Sequence, residues 1–199
     1  MNENSNKSII DNTFLRLVKA RRSVRKFADR LVERDKIITC IEAARLAPSA
    51  ENVQPWRFIV MDKEEIIDNF SKEAFSGIYR YTRWASRAPV LIAIAAQLDW
   101  LAHRLGKEIQ GTKYYLIDIG IAGEHLVLQA LELGLGTCWI GWFQARKARK
   151  VLQIPRSWKV VALLAMGYPR EKKRESKKKI KELKGLEEIL FFNGYKKES

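Results

Sequence analysis

The chain has 199 residues, of which 47% are hydrophobic, enough for one domain with an ordinary core and too varied for a collagen, coiled-coil or low-complexity protein. Its 37 basic residues outnumber 23 acidic ones, and the resulting net charge of +14 favours anionic ligands without bearing on the fold. Cys40 and Cys138 form no CxxC or CxxH pattern, which excludes a disulfide framework and a zinc site.

The polar first residues carry no apolar signal core. The longest apolar run, 88–96, is far shorter than the ~20 residues of a spanning helix, so a cytoplasmic protein with no membrane partner is expected. A first helix over 12–20 carries Phe14, Leu17 and Val18 at helical spacing and runs into Arg21-Arg22-Ser23-Val24-Arg25. An anion at a helix C-terminus must be held by formal cations, and guanidinium groups bond phosphate bidentately. The alternative is a set of solvated charges that partner the helix end. Asp35 caps a second helix with Ile37, Ile38, Ile41 and Ala44, which Pro48 ends. The loop that follows brings Ser49, Asn52 and Gln54 forward as hydrogen-bonding side chains, with Gln54 pushed extended by Pro55. It suits a planar ligand rich in donors and acceptors, or else satisfies its own backbone. Trp56 reads as core.

A strand over 57–61 follows, then Asp62 with Glu65 as a capping box for a helix over 63–70, then a buried strand over 89–96. Residues 114–133 form a central helix, apolar round most of its circumference and buried on most sides, with Asp118, His125, Gln129 and Glu132 in one narrow stripe. Gly134-Leu135-Gly136 is neither a GxGxxG nor a phosphate loop, and it leads into Thr137-Cys138-Trp139-Ile140-Gly141. Small residues beside Trp139 and Ile140 let a flat ring approach the backbone, or simply turn the chain into a core strand. A small basic helix and a strand over 159–166 come next. Residues 170–184 carry nine basic and three acidic side chains, and 185–192 form a last short helix and an apolar anchor that docks on something. No repeat or long linker divides the chain, so it is expected to be one domain, with its core over 12–192 and a basic extension over 170–199.

The usual catalytic routes are thin. Only His103 and His125 are present, so no multi-histidine metal site exists, and His125 reads as a structural histidine. Ser23, Ser49 and Ser86 lack a G-x-S-x-G frame. Apolar company raises the Cys138 pKa and disfavours a thiolate. An enzyme here must borrow its chemistry from a cofactor, and no catalytic side chain is assigned.

Taken together, Arg-Arg-Ser-Val-Arg, then Ala-Pro-Ser-Ala-x-Asn-x-Gln-Pro-Trp, then the apolar helix ending in Gly-Leu-Gly-Thr-Cys-Trp-Ile-Gly, then Leu-Glu-Glu-Ile, resemble the FMN-dependent nitroreductase family over residues 12–192. The resemblance implies an α+β sandwich, its central mixed, mostly antiparallel sheet flanked by helices, in an intertwined homodimer with FMN at the subunit interface. It implies that Arg21, Ser23 and Arg25, with Arg22 close by, hold the phosphate and ribityl region. Asn52 and Gln54 would face the flavin, Pro48, Ser49 and Ala50 would reach it across the dimer, and Trp139, Ile140 and Gly141 would cover the isoalloxazine near N5. Where many members carry an arginine before the last motif, this chain offers Lys181 or Lys184 as a point charge without the planar fork. The implied activity is hydride transfer from NADH or NADPH, through FMN, to a nitroaromatic, quinone or similar small-molecule acceptor in a ping-pong sequence. Flavin reductase, dehalogenase or another specialised flavoenzyme on the same fold is the alternative. A basic nucleic-acid-binding protein is disfavoured, because the lysine-rich runs lack interleaved aromatics and no binding motif is evident.

Overall fold

The computed structural model describes residues 10–98, 111–170 and 183–195. Four strands, β1 (Trp56–Met61), β2 (Val90–Gln97), β3 (Gly136–Ile140) and β4 (Trp158–Gly167), pair antiparallel in the order β1-β2-β4-β3. Beyond β3 the chain near Ser23 adds a parallel bridge to Thr137, and the Val24 N–H donates to the Thr137 carbonyl at 2.8 Å. The described sheet is therefore antiparallel with one parallel edge contact.

The two inner strands are apolar on both faces, and alternation divides them between two cores. Val90, Ile92, Ile94 and Ala96 pack against α4 (Tyr114–Glu132) and α2 (Arg34–Arg45). Leu91 and Ala93 face α3 (Glu64–Ala74), α5 (Ala145–Val151) and a 3-10 helix over Gly77–Arg87. The helices thus cover both faces of one sheet, an α+β sandwich. No helix among the described residues is long and apolar enough to cross a membrane.

Helix α1 (Thr13–Ala20) is capped by Asn12, whose side-chain oxygen accepts from the Leu15 N–H at 2.8 Å. Its apolar stripe is only partly covered within the chain: Leu15 and Leu17 are half-buried, while Phe14 is 63% exposed. Two sequence-based caps fail. Glu33 occupies the N-cap position of α2, so Asp35 lies inside the first turn, where its charge still complements the helix dipole. Helix α3 begins at Glu64 without a side-chain cap, and Asp62 instead accepts from Arg34 Nη2 at 3.1 Å. An ion pair between residues 28 apart replaces the local capping box. The helix also runs past residue 70, because Phe70 and Ala74 are fully buried.

Helix α4 departs from its expected burial. Ile119, Ala122, Leu126 and Ala130 lie in the core, whereas Tyr114, Leu116 and Ile117 are exposed in the single chain. The polar stripe does not face solvent throughout: Asp118 is buried, and His125 Nδ1 lies 3.3 Å from the Ala43 carbonyl of α2. The final apolar segment is a 3-10 turn over Leu186–Glu188, with Ile189, Phe191 and Phe192 left exposed.

Gly123 of α4 lets the Trp139 indole lie against the helix backbone, and a Cβ at that position would stand 2.5 Å from Trp139 Cζ2. Glycine to alanine inside a helix ordinarily stabilises by about 1 kcal/mol. Here overpacking outweighs that gain, so Gly123→Ala is expected to lower stability by about 1–2 kcal/mol in urea unfolding and to shift tryptophan fluorescence. A stabilised variant with unchanged fluorescence would contradict this packing.

Candidate functional site

Helix α1 stops at Ala20 because Arg21 turns extended, at φ −58° and ψ 133°. Extended backbone sends Arg21, Ser23 and Arg25 to one side and Arg22 and Val24 to the other. The first three converge on Cys138 of β3, whose thiol feels Arg25, Ser23 and Arg21 together. Burial still dominates and pushes the Cys138 pKa up, with those three neighbours pulling it down, so the thiol stays neutral at pH 7. The Arg25 guanidinium also lies 5.9 Å from the centre of the Trp84 ring. Arg22 behaves differently. Its Nη1 turns back to the carbonyls of Lys19 at 2.5 Å and Arg21 at 2.7 Å, which makes it the helix-end partner. Val24 fits against Gly136, where a Cβ would stand 2.6 Å from Val24 Cγ2.

The second group is the loop over 48–54. Ser49 Oγ accepts from the Gln54 N–H at 3.0 Å, and the Ala50 N–H donates to Asp118 Oδ1 at 3.1 Å. Gln54 Nε2 donates to Asn52 Oδ1 at 3.0 Å. Three residues, Glu51, Asn52 and Gln54, sit at φ of 50°, 56° and 50°. Left-handed backbone costs a non-glycine residue of order 1–3 kcal/mol, so the contacts of Ser49 and Asp118 hold a strained loop in place. Asn52, Gln54 and Arg57 border a cleft of about 380 Å³. Pro48 is exposed, while Ser49 and Ala50 are half-buried beside α4.

At the end of β3 the side chains alternate. Trp139 leans on Gly123, Ile140 is buried in the α3 and α5 core, and Gly141 has no heavy atom within 4 Å of where a Cβ would stand. Ile140 can therefore offer a ligand only its backbone, and the open approach is over Gly141. Lys184 is exposed, and Lys181 lies outside the described residues. No cluster of His, Cys, Asp or Glu fit for a metal occurs among the described residues.

The cationic group and the loop touch the same helix at different points. Asp118, which holds the loop, and Glu124, whose carboxylate lies 3.9 Å from Arg21 Nε, are six residues apart on α4. That spacing is about 9 Å along the axis and about 120° around it. The 250 Å³ cleft beside Arg21 and the cleft beside Gln54 share no lining residue. Sequence reasoning placed Asp118 in a polar stripe without its role, and it missed Gly123, Glu124 and Trp84. An aspartate in a mostly apolar helix was the one available signal, since buried carboxylates need partners.

Residues 18–168 match the model of the nitroreductase family. The chain belongs to that family. A protein of Archaeoglobus fulgidus named as an NADH dehydrogenase/NAD(P)H nitroreductase is 31% identical over 163 residues, covering 80% of this chain and 87% of the relative. The 5,6-dimethylbenzimidazole synthase of Rhodospirillum rubrum is 30% identical over 169 residues, covering 76% of this chain and 79% of that protein. Among solved structures, an FMN-dependent nitroreductase of Clostridium difficile R20291 superposes with a TM-score of 0.65 at 30% identity, covering 90% of this chain and 98% of that one. Membership in the nitroreductase family makes the chain an oxidoreductase and assigns the α+β sandwich described above.

Asp118 offers a pH test of how this nitroreductase-family fold holds its loop. Burial raises the carboxyl above its ordinary 3.8, with the Ala50 N–H pulling it down less strongly. The folded chain therefore binds this proton more tightly than the unfolded chain, so the contribution is complete below pH 3.8 and is lost as pH rises through the raised value. Asp118→Asn keeps an acceptor for the Ala50 N–H without a charge. It is expected to gain stability relative to the parent as pH climbs through that window and to hold the gain above it, read from urea midpoints across pH, and parallel curves would show that Asp118 is ionised in the fold at no cost.

Proposed function

We propose that the chain is an FMN-dependent oxidoreductase that takes hydride from NADH or NADPH and delivers it to a nitroaromatic, quinone or similar small acceptor. The convergence of Arg21, Ser23 and Arg25 on Cys138 of β3, the strand that leads into the open backbone at Gly141, carries this reading. The fit to FMN rests on that donor set and that space: two guanidinium groups and a hydroxyl match a phosphate, and a flat ring can reach Gly141 without meeting a Cβ. Bound FMN supplies the two-electron chemistry that no side chain here provides.

The side chains bind, orient and exclude. Arg21 and Arg25 hold the phosphate by charge-assisted hydrogen bonds, Ser23 adds a hydroxyl, and the neutral Cys138 thiol adds no repulsion beneath the anion. Glu124, 3.9 Å from Arg21 and partly exposed, is a weak competitor for the guanidinium. The loop over 48–54 belongs to a second site on the same chain, so each FMN is completed by the loop of a partner subunit. A homodimer is further supported by the exposed apolar side chains of Phe14, Val18, Leu116 and Ile117. The likeness to a dimethylbenzimidazole synthase supports treating the acceptor as a property of the pocket rather than of the fold.

Titration of apo-protein with FMN tests the phosphate site. Arg21→Ala is expected to lose about 1.5–3 kcal/mol, or roughly ten- to 150-fold in affinity, and Arg146→Ala almost nothing. Equal losses would make Arg21 a surface charge, and a protein that stays colourless in FMN would end the flavoprotein reading. Steady-state kinetics test the shared pocket. Donor and acceptor occupying it in turn give parallel double-reciprocal lines, and intersecting lines would require both to be bound at once.

A further inference from the structure

The 3-10 helix over Gly77–Arg87 is far longer than the usual single turn, and its period of three sorts its side chains into stripes. Tyr79, Thr82 and Ala85 face inward. The Tyr79 ring is 5.2 Å from the Trp142 ring, Thr82 Oγ1 donates to the Trp142 carbonyl at 2.8 Å, and Trp142 Nε1 donates to the Ile78 carbonyl at 3.2 Å. These contacts fasten the helix to the residue that follows Gly141. Trp84, under Arg25, ties its other end to the cationic group.

The outward stripes remain open. Tyr81 is 76% exposed, with the Arg80 guanidinium 5.5 Å from its ring centre. Arg80 and Arg83 are exposed one turn apart, about 6 Å along the axis, and neither forms an ion pair among the described residues. Two unpaired guanidinium groups beside an exposed aromatic ring are complementary to a planar base joined to phosphates.

We propose that this outward face is a subsite for the adenosine diphosphate half of the nicotinamide donor, with the phosphates on Arg80 and Arg83 and the adenine on Tyr81. The inference rests on the reading of the chain as an NAD(P)H oxidoreductase. It adds a specificity device: the subsite favours dinucleotide donors over small neutral dihydronicotinamides because only the former carry the diphosphate.

Two measurements on the full-length, FMN-loaded protein test it. ADP, which carries no nicotinamide and cannot donate hydride, is titrated calorimetrically against the parent, Arg80→Gln/Arg83→Gln and Arg146→Gln. Flavin bleaching in stopped flow then gives the ratio of second-order rates for NADH and for reduced N-benzylnicotinamide. The double variant is expected to bind ADP at least about ten-fold more weakly and to lower the rate ratio by a similar factor, with both quantities unchanged in Arg146→Gln. Unchanged ADP affinity and rate ratio in the double variant would overturn the subsite. So would a loss of FMN affinity in that variant with the rate ratio preserved, which would assign the arginines to FMN. Failure of the parent to take up FMN or oxidise either donor would instead strike the functional reading, while the ADP titration would still report on the surface.

Discussion

The arrangement depends on what helix α4 holds on its two sides. One side anchors the strained loop through the Asp118 carboxylate and the Ala50 N–H, and another meets Arg21 through Glu124. A rigid helix cannot bring these points together, because about 9 Å and about 120° separate them by its own geometry. In the proposed dimer, the cationic group of one copy and the loop of the other complete each FMN site. Leu116 and Ile117 on the same helix are exposed in the single chain, as the proposed dimer requires.

The basic character of the chain is spent unevenly. Lys147 pairs with Glu73 at 2.9 Å, Arg149 donates to the Ile154 carbonyl at 3.4 Å, and Arg22 binds its own helix end. These charges serve the fold or the solvent. Arg21 and Arg25 differ because extended backbone and the Cys138 side of β3 aim them at one point. Position relative to the sheet edge, rather than number, separates the cations proposed to bind FMN from the rest.

Much of this was legible in the sequence because the signals were local. The first helix, the apolar runs of β2 and β4, and the Gly-Leu-Gly turn into β3 each depend on residues a few positions apart. What was not legible depended on distant partners. Asp62 was lost as a cap because Arg34 claims it, and Ile140 faces the core because the register of β3 against β4 sets its parity. The fit of Trp139 on Gly123 couples a strand to a helix that no spacing rule links. The motif residues of the loop were visible, but their left-handed backbone was not, since Glu51 and Gln54 are poor candidates for it by residue type.

Subunit complementation tests the central claim, that each FMN site is built from two chains, most directly. Arg21→Ala/Arg25→Ala removes the cationic half, and Asn52→Ala/Gln54→Ala removes the loop half. Each variant alone should lose tight FMN binding. After unfolding and refolding an equal mixture, half of the dimers are mixed and each mixed dimer carries one intact site, so about a quarter of the parental tight FMN sites should return. No recovery in mixtures that do form mixed dimers would place both halves of the site in one chain and contradict the account.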